Sequence, residues 1–121
     1  MKKIKIGING FGRIGRTLFR LIQNHPHLEV VAVNDLADTK TLAHLLKYDS
    51  IHGVYNGKVD YDINHIIVDG KGVRLFNIQD PKNLNWSSFG IDVVVECTGK
   101  FKTKETLEYH LKNGAKKVKI S

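Results

Sequence analysis

The sequence predicts an α/β fold, a mostly parallel sheet with an inserted antiparallel hairpin region, and three observations predict it. Residues 1 to 35 read strand, helix, strand. From Gly57 to Asn77 the chain breaks into short β-type runs separated by turns. From Ile91 onward it again reads strand, helix, strand. A strand–helix–strand crossover implies parallel pairing and a right-handed unit, whereas short turns join antiparallel neighbours.

The elements follow in order. Lys3-Ile4-Lys5-Ile6-Gly7-Ile8 alternates at period two and stops at Asn9-Gly10, the mark of a strand. A helix is expected from about Gly12 to Asn24, ending at His25-Pro26, with Ile14, Leu18, Leu21 and Ile22 as its apolar face. Leu28 to Val33 is the second strand. Asp38 or Thr39 caps a second helix whose apolar face is Leu42, Leu45 and Leu46, closing before Tyr48. Lys58 to Asp62, His65 to Val68 and Val73 to Phe76 read as antiparallel strands, and Trp86 to Phe89 as one helical turn. The triple valine in Ile91 to Glu96 suggests a strand buried on both faces. Thr103 is placed to cap a helix carrying Leu107 and Leu111, with Gly114 as its stop, before an alternating strand from Lys117 to Ser121.

Composition bounds the function. With 121 residues, 41% of them hydrophobic and 26% charged, the chain reads as one small globular domain rather than a disordered one. Its most apolar run, Leu28 to Val33, is short and broken by Glu29, which excludes a membrane span. The basic start is followed by a segment interrupted by Asn9 and Arg13 with no credible cleavage site, so a cytoplasmic protein is expected. The formal charge is +7, and residues 100 to 121 carry 7 lysines against Glu105 and Glu108. A nucleic-acid-binding module without a cofactor is the alternative this charge raises. No aromatic pair or nucleic-acid motif accompanies the lysines, so a solvated face is the expected reading.

The most informative feature is Gly10-Phe11-Gly12-Arg13-Ile14-Gly15, which fits the spacing Gly-x-Gly-x-x-Gly. It lies directly after a strand and opens a helix, where free N–H groups and the positive end of the helix dipole can meet a pyrophosphate. Gly10 permits the tight turn, Gly12 lets the diphosphate approach the backbone, and Gly15 lets helix pack on strand. Asp35 stands 20 residues after Gly15, at the end of the second strand, where a carboxylate accepts hydrogen bonds from the adenosine ribose. It would repel a 2′-phosphate, and no arginine occurs in residues 36 to 46, so NAD is favoured over NADP. Thr98 and Gly99 follow the end of a parallel strand and are further candidates to touch the cofactor.

Other polar candidates carry less. Cys97 has neither a base nor a helix dipole beside it in sequence, and reads as a small residue packed at a strand end. His44, His52, His65 and His110 show neither metal-site spacing nor local carboxylate pairing, and His25 and His27 flank a proline, so no metal is expected. His52 could still be an ordered loop residue.

Taken together, Ile8-Asn9-Gly10-Phe11-Gly12-Arg13-Ile14-Gly15-Arg16, Val33-Asn34-Asp35, Tyr48-Asp49-Ser50-Ile51-His52-Gly53, Glu96-Cys97-Thr98-Gly99 and the ending Gly114 to Ser121 closely resemble the N-terminal part of the phosphorylating glyceraldehyde-3-phosphate dehydrogenases. The similar erythrose-4-phosphate dehydrogenases are the nearest confusable relatives. The resemblance implies a Rossmann-type sheet, with 1–121 forming an incomplete NAD(P)-binding domain cut before its last part. It would put Arg13 and Ile14 at the pyrophosphate, Asp35 on the ribose, Thr98, Gly99 and Ser121 along the cofactor, and Asn9 in support of the glycine loop. Gln79 stands near the adenine, where many relatives carry a basic residue. The family's nucleophilic cysteine lies in a Ser-Cys-Thr-Thr-Asn segment, and its histidine and substrate-phosphate residues lie in a second domain. None occurs in this sequence, so the chain alone is expected to be inactive and to contribute NAD binding to a homotetrameric enzyme that uses glyceraldehyde 3-phosphate and phosphate.

Overall fold

A computed structural model describes residues 3–23, 25–48, 53–98 and 104–120. Along the chain these form β1 (Ile4–Asn9), α1 (Arg13–Ile22), β2 (Leu28–Asn34), α2 (Thr39–Tyr48), β3 (Val59–Tyr61), β4 (His65–Val68) and β5 (Lys71–Phe76). Two 3-10 turns follow, Pro81–Asn83 and Trp86–Phe89, then β6 (Val93–Glu96), α3 (Lys104–Lys112) and β7 (Lys117–Ile120). Residues 49–52, including His52, and the Thr103 cap lie outside the described residues.

The seven strands share one sheet in the order β3-β4-β5-β2-β1-β6-β7. β1 runs parallel to β2 and β6, β6 to β7, and β2 to β5. β3–β4 and β4–β5 are antiparallel. The antiparallel hairpin region expected within the mostly parallel sheet is part of that same sheet, because β5 closes the hairpin and also runs parallel to β2. The turn between β4 and β5 is Asp69-Gly70, with φ of 51° and 83°, the two positive values that a two-residue hairpin of the right twist demands.

Strand alternation divides the core between the two faces of the sheet. Ile6, Ile8 and Val33 meet Phe19, Ile22, Leu42 and Leu46 from α1 and α2 on one face. Ala32 and Val94 meet Leu84, Trp86, Ile91 and Ala115 on the other. Gly7 lies under Trp86: a Cβ there would stand 2.7 Å from the indole Cζ3. β1 thus gives up a side chain so that the only tryptophan can lie on the strand.

Two helices bury only part of the face their periodicity suggests, and on α1 it is Leu18 and Ile22 that pack on the core. On α1 the buried residues are Gly15, Arg16, Phe19 and Ile22, while Ile14 is 58% and Leu21 69% exposed. The face turns because Gly15 must touch the strand–loop junction, and a count of large apolar residues overlooks a glycine. α1 also stops at Ile22, since Gln23 is already extended at ψ 129°, ahead of Pro26. On α3, Leu111 is 46% exposed whereas His110 is fully buried.

α1, α2 and the segment at 53–58 are joined by cations on backbone carbonyls. Arg20 donates to Gly53 O and to Leu46 O and Lys47 O, the latter two being carbonyls that the last turn of α2 leaves without helical partners. Lys47 Nζ donates to Tyr55 O and Gly57 O, each at 2.7 Å.

Candidate cofactor-binding site

The glycine loop is shaped by contacts that tolerate no side chain at two positions and leave a third open. Gly10 has φ of +97°, and a Cβ there would stand 2.8 Å from both the backbone N and Cγ2 of Thr98. A Cβ at Gly15 would strike Gly10 O and come within 3.3 Å of Ile8 Cγ2. At Gly12 nothing lies within 4 Å. Phe11 anchors the loop: its ring is buried edge-on to Phe19 at 5.8 Å, and its carbonyl accepts from Arg16 Nη1 at 3.2 Å.

α1 starts from this loop with Gly12 as a cap that makes no side-chain hydrogen bond, and no acidic residue stands in its first turn. The first N–H groups of a helix have no carbonyl partner within it. Here they open on the space above Gly12, a setting that fits a diphosphate.

Asn9, Gly10, Gly12, Asp35, Gln79 and Thr98 line one open cleft of about 340 Å³ at the carboxyl ends of β1, β2 and β6. Arg13 and Ile14 stand exposed on the first turn of α1. Gly99 and Ser121 lie outside the described residues. Asp35 Oδ2 accepts from Phe11 N at 2.8 Å and Oδ1 from Ala37 N at 3.0 Å, so the carboxylate ties the glycine loop to the end of β2. Asn77 Nδ2 donates to the carbonyls of Asp35 and Ala37, clamping the same turn to the end of β5. Cys97 lines the cleft but packs against the core cluster, as a small strand-end residue does.

Below the cleft runs a row of buried polar groups. Asn34 Nδ2 donates to Asn9 Oδ1 at 2.8 Å, and Asn9 Nδ2 donates to Glu96 Oε1 at 2.8 Å. His110 Nε2 lies 2.8 Å from the same oxygen, and Trp86 Nε1 donates to His110 Nδ1 at 3.0 Å. Glu96 Oε2 accepts from Thr98 Oγ1 at 2.8 Å and Thr98 N at 3.2 Å. Asn34 also holds both backbone groups of Ile78, beside Gln79. The expectation that the histidines lack local carboxylate pairing is corrected at His65, whose Nδ1 lies 3.0 Å from Asp62 Oδ1, while His110 meets Glu96 from 14 residues away across the fold. The row had a sequence signal, because three apolar runs end alike, in Ile8-Asn9, Val33-Asn34 and Val95-Glu96.

Burial pushes the Glu96 carboxyl up, but hydrogen bonds from His110, Asn9 and Thr98 outweigh it and hold the group below its ordinary 4.5. A depressed folded-state value stabilises the fold above the unfolded value, and that contribution disappears as pH falls through the folded one. The urea midpoint of the wild-type protein is therefore expected to fall more steeply below pH 4.5 than that of Glu96→Gln. Parallel curves for the two proteins would refute this.

Comparison with known proteins bears on which ligand this cleft serves. The family described as "Glyceraldehyde 3-phosphate dehydrogenase, NAD binding domain" matches residues 4–104. The chain belongs to this family. The glyceraldehyde-3-phosphate dehydrogenase of Thermotoga maritima is 55% identical over 119 residues, covering 97% of this chain and 36% of the relative. That of Geobacillus stearothermophilus is 53% identical over 118 residues, covering 98% of this chain and 35% of the relative. That of Clostridium acetobutylicum is 56% identical over 117 residues, with coverage of 97% and 35%. The chain thus spans about a third of the length of the curated relatives it matches. As the family's cofactor domain it binds NAD, and its sheet is Rossmann-type. No helix among the described residues is long and apolar enough to cross a membrane.

Proposed function

We propose that the protein to which this chain belongs oxidises glyceraldehyde 3-phosphate with NAD and phosphate to 1,3-bisphosphoglycerate, as a cytoplasmic homotetramer of glycolysis. Residues 1–121 hold the cofactor as an NAD(P)-binding Rossmann domain, and the reacting thiol and base come from elsewhere in the protein. The observation that carries this reading is the uncapped start of α1 facing open space at Gly12, with Asp35 across the same cleft. NAD, when bound, accepts the hydride from the aldehyde carbon.

This chain's residues do the binding and orienting. The first N–H groups of α1, from Arg13 and Ile14 onward, meet the pyrophosphate. Asp35 accepts from the ribose hydroxyls and repels a 2′-phosphate, which favours NAD over NADP. Gln79 borders the adenine with a neutral side chain. Thr98, Gly99 and Ser121 follow the cofactor toward its nicotinamide end, and Asn9 braces the loop from beneath.

Asp35→Ala removes the ribose acceptor and the tie to Phe11 N. It is expected to weaken NAD at least about tenfold in isothermal titration, the weight of one hydrogen bond to a charged group, while NADP binding does not weaken. Unchanged NAD affinity would remove the ribose role. Turnover of glyceraldehyde 3-phosphate, measured beside erythrose 4-phosphate, tests the substrate.

A further inference from the structure

We propose that His110, which does not line the cleft, is a positioning residue for the cofactor and acts through Glu96. The proposal rests on the reading that this cleft takes NAD. His110 sits on α3, fully buried, across the sheet from α1. Its tautomer follows from its neighbours. An indole N–H is a donor only, so Trp86 makes His110 Nδ1 an acceptor and leaves the ring proton on Nε2. Nε2–H then donates to Glu96 Oε1, which also accepts from Asn9.

With Oε1 held by two donors, the carboxylate has one orientation, and its other oxygen faces the N–H and hydroxyl of Thr98. Thr98 lines the cleft and packs so close to Gly10 that a Cβ there would stand 2.8 Å from its N and Cγ2. Through Asn9 the same oxygen is linked to Asn34, which holds Ile78 beside Gln79 on the opposite wall. One buried carboxylate thus sets the positions of both walls. Without His110, Oε1 loses a donor in a site shut off from water, and the carboxylate turns at the expense of its bonds to Thr98.

Glutamine can replace the imidazole in both bonds, donating from its amide nitrogen to Glu96 and accepting at its oxygen from Trp86. Leucine can do neither. In the full-length protein, both His110→Leu and His110→Gln are expected to lower the melting temperature. In isothermal titration of NAD, well below those temperatures, His110→Leu is expected to weaken binding about fivefold or more and His110→Gln less than about twofold. A purely structural role would lower stability in both and leave affinity alone. The proposal is overturned if His110→Leu binds NAD as the wild type does, or if His110→Gln loses as much affinity as His110→Leu. Should His110→Leu not fold, Glu96→Gln tests it, because the new amide places a donor against a donor. Its affinity for NAD is expected to fall about fivefold or more, and wild-type affinity in Glu96→Gln overturns the proposal. A wild-type protein that bound no NAD would overturn the cofactor reading itself, whereas normal wild-type binding with indifferent variants overturns only the role of His110.

Discussion

Gly12→Val is expected to weaken NAD binding at least about a hundredfold while leaving the protein folded. Gly12 has φ −77° and ψ −160°, extended backbone that valine adopts without strain, and no atom lies within 4 Å of an added Cβ. The side chain therefore starts in open space, and the main cost is a poorer helix cap, about 1 kcal/mol or less, shifting the melting temperature of a domain of this size by about 4 °C at most. Binding suffers far more. The open space above Gly12 is where a diphosphate would reach the first N–H groups of α1, and a branched side chain fills it. Losing those contacts is expected to weaken NAD at least about a hundredfold, roughly 2.7 kcal/mol. Gly15→Val is the contrasting variant, since its side chain meets the carbonyl of Gly10 and lowers stability and binding together. Isothermal titration beside thermal melting separates the two, and retained NAD affinity in Gly12→Val would refute this geometry of the loop.

Trp86→Ala is expected to give the largest loss of stability. The side chain is fully buried, lies on Gly7, packs edge-on to Phe76 at 6.3 Å and donates its N–H to His110. Deleting a buried tryptophan costs about 3–5 kcal/mol in lost transfer energy and cavity. That is a fifth or more of the roughly 5–15 kcal/mol that holds an ordinary domain together. Trp86→Phe keeps most of the packing, loses only the donor, and is expected to cost about 1–2 kcal/mol. Urea unfolding followed by circular dichroism measures both, and a Trp86→Ala midpoint equal to wild type would contradict the packing described above.

Local chemistry was legible in the sequence wherever one short segment contained the whole reason for its own shape. Asp69-Gly70-Lys71-Gly72 reads as a turn, and the structure makes the turn with Asp69 and Gly70 alone while Lys71 and Gly72 open β5. The glycine loop is nearly as self-contained: Gly10, Gly12 and Gly15 stand respectively at a positive φ, an open approach and a helix–strand contact, as their spacing implies. Asp35 could be picked out because its distance from the loop is fixed by the length of one helix and one strand. What stayed hidden depends on pairs of residues far apart in the chain. Gly7 looks like an unremarkable strand residue until Trp86 lies on it, and His110 like a solvated helix histidine until Glu96 and Trp86 close on it from two other elements. Asn34 at the end of β2 and Asn77 just after β5 brace the cleft through partners equally far away in the chain. On α1, Leu18 and Ile22 pack on the core as their period implies, whereas Ile14 and Leu21 share that period and face solvent.

The cations that join α1 and α2 change what the formal charge of +7 means. Arg16, Arg20 and Lys47 direct their hydrogen bonds at backbone carbonyls, and Arg16 is only 5% exposed. Less of the positive charge is thus free at the surface to gather the counterion atmosphere of a polyanion than a count of basic residues implies. These contacts also set a cation against a neutral carbonyl dipole in partly buried surroundings, where salt screens much less than it does between exposed charges. Concentrated salt that loosens the exposed Lys116–Asp92 and Lys71–Glu29 pairs leaves this junction intact, so the glycine loop that Arg16 holds keeps its support across a wide range of ionic strength.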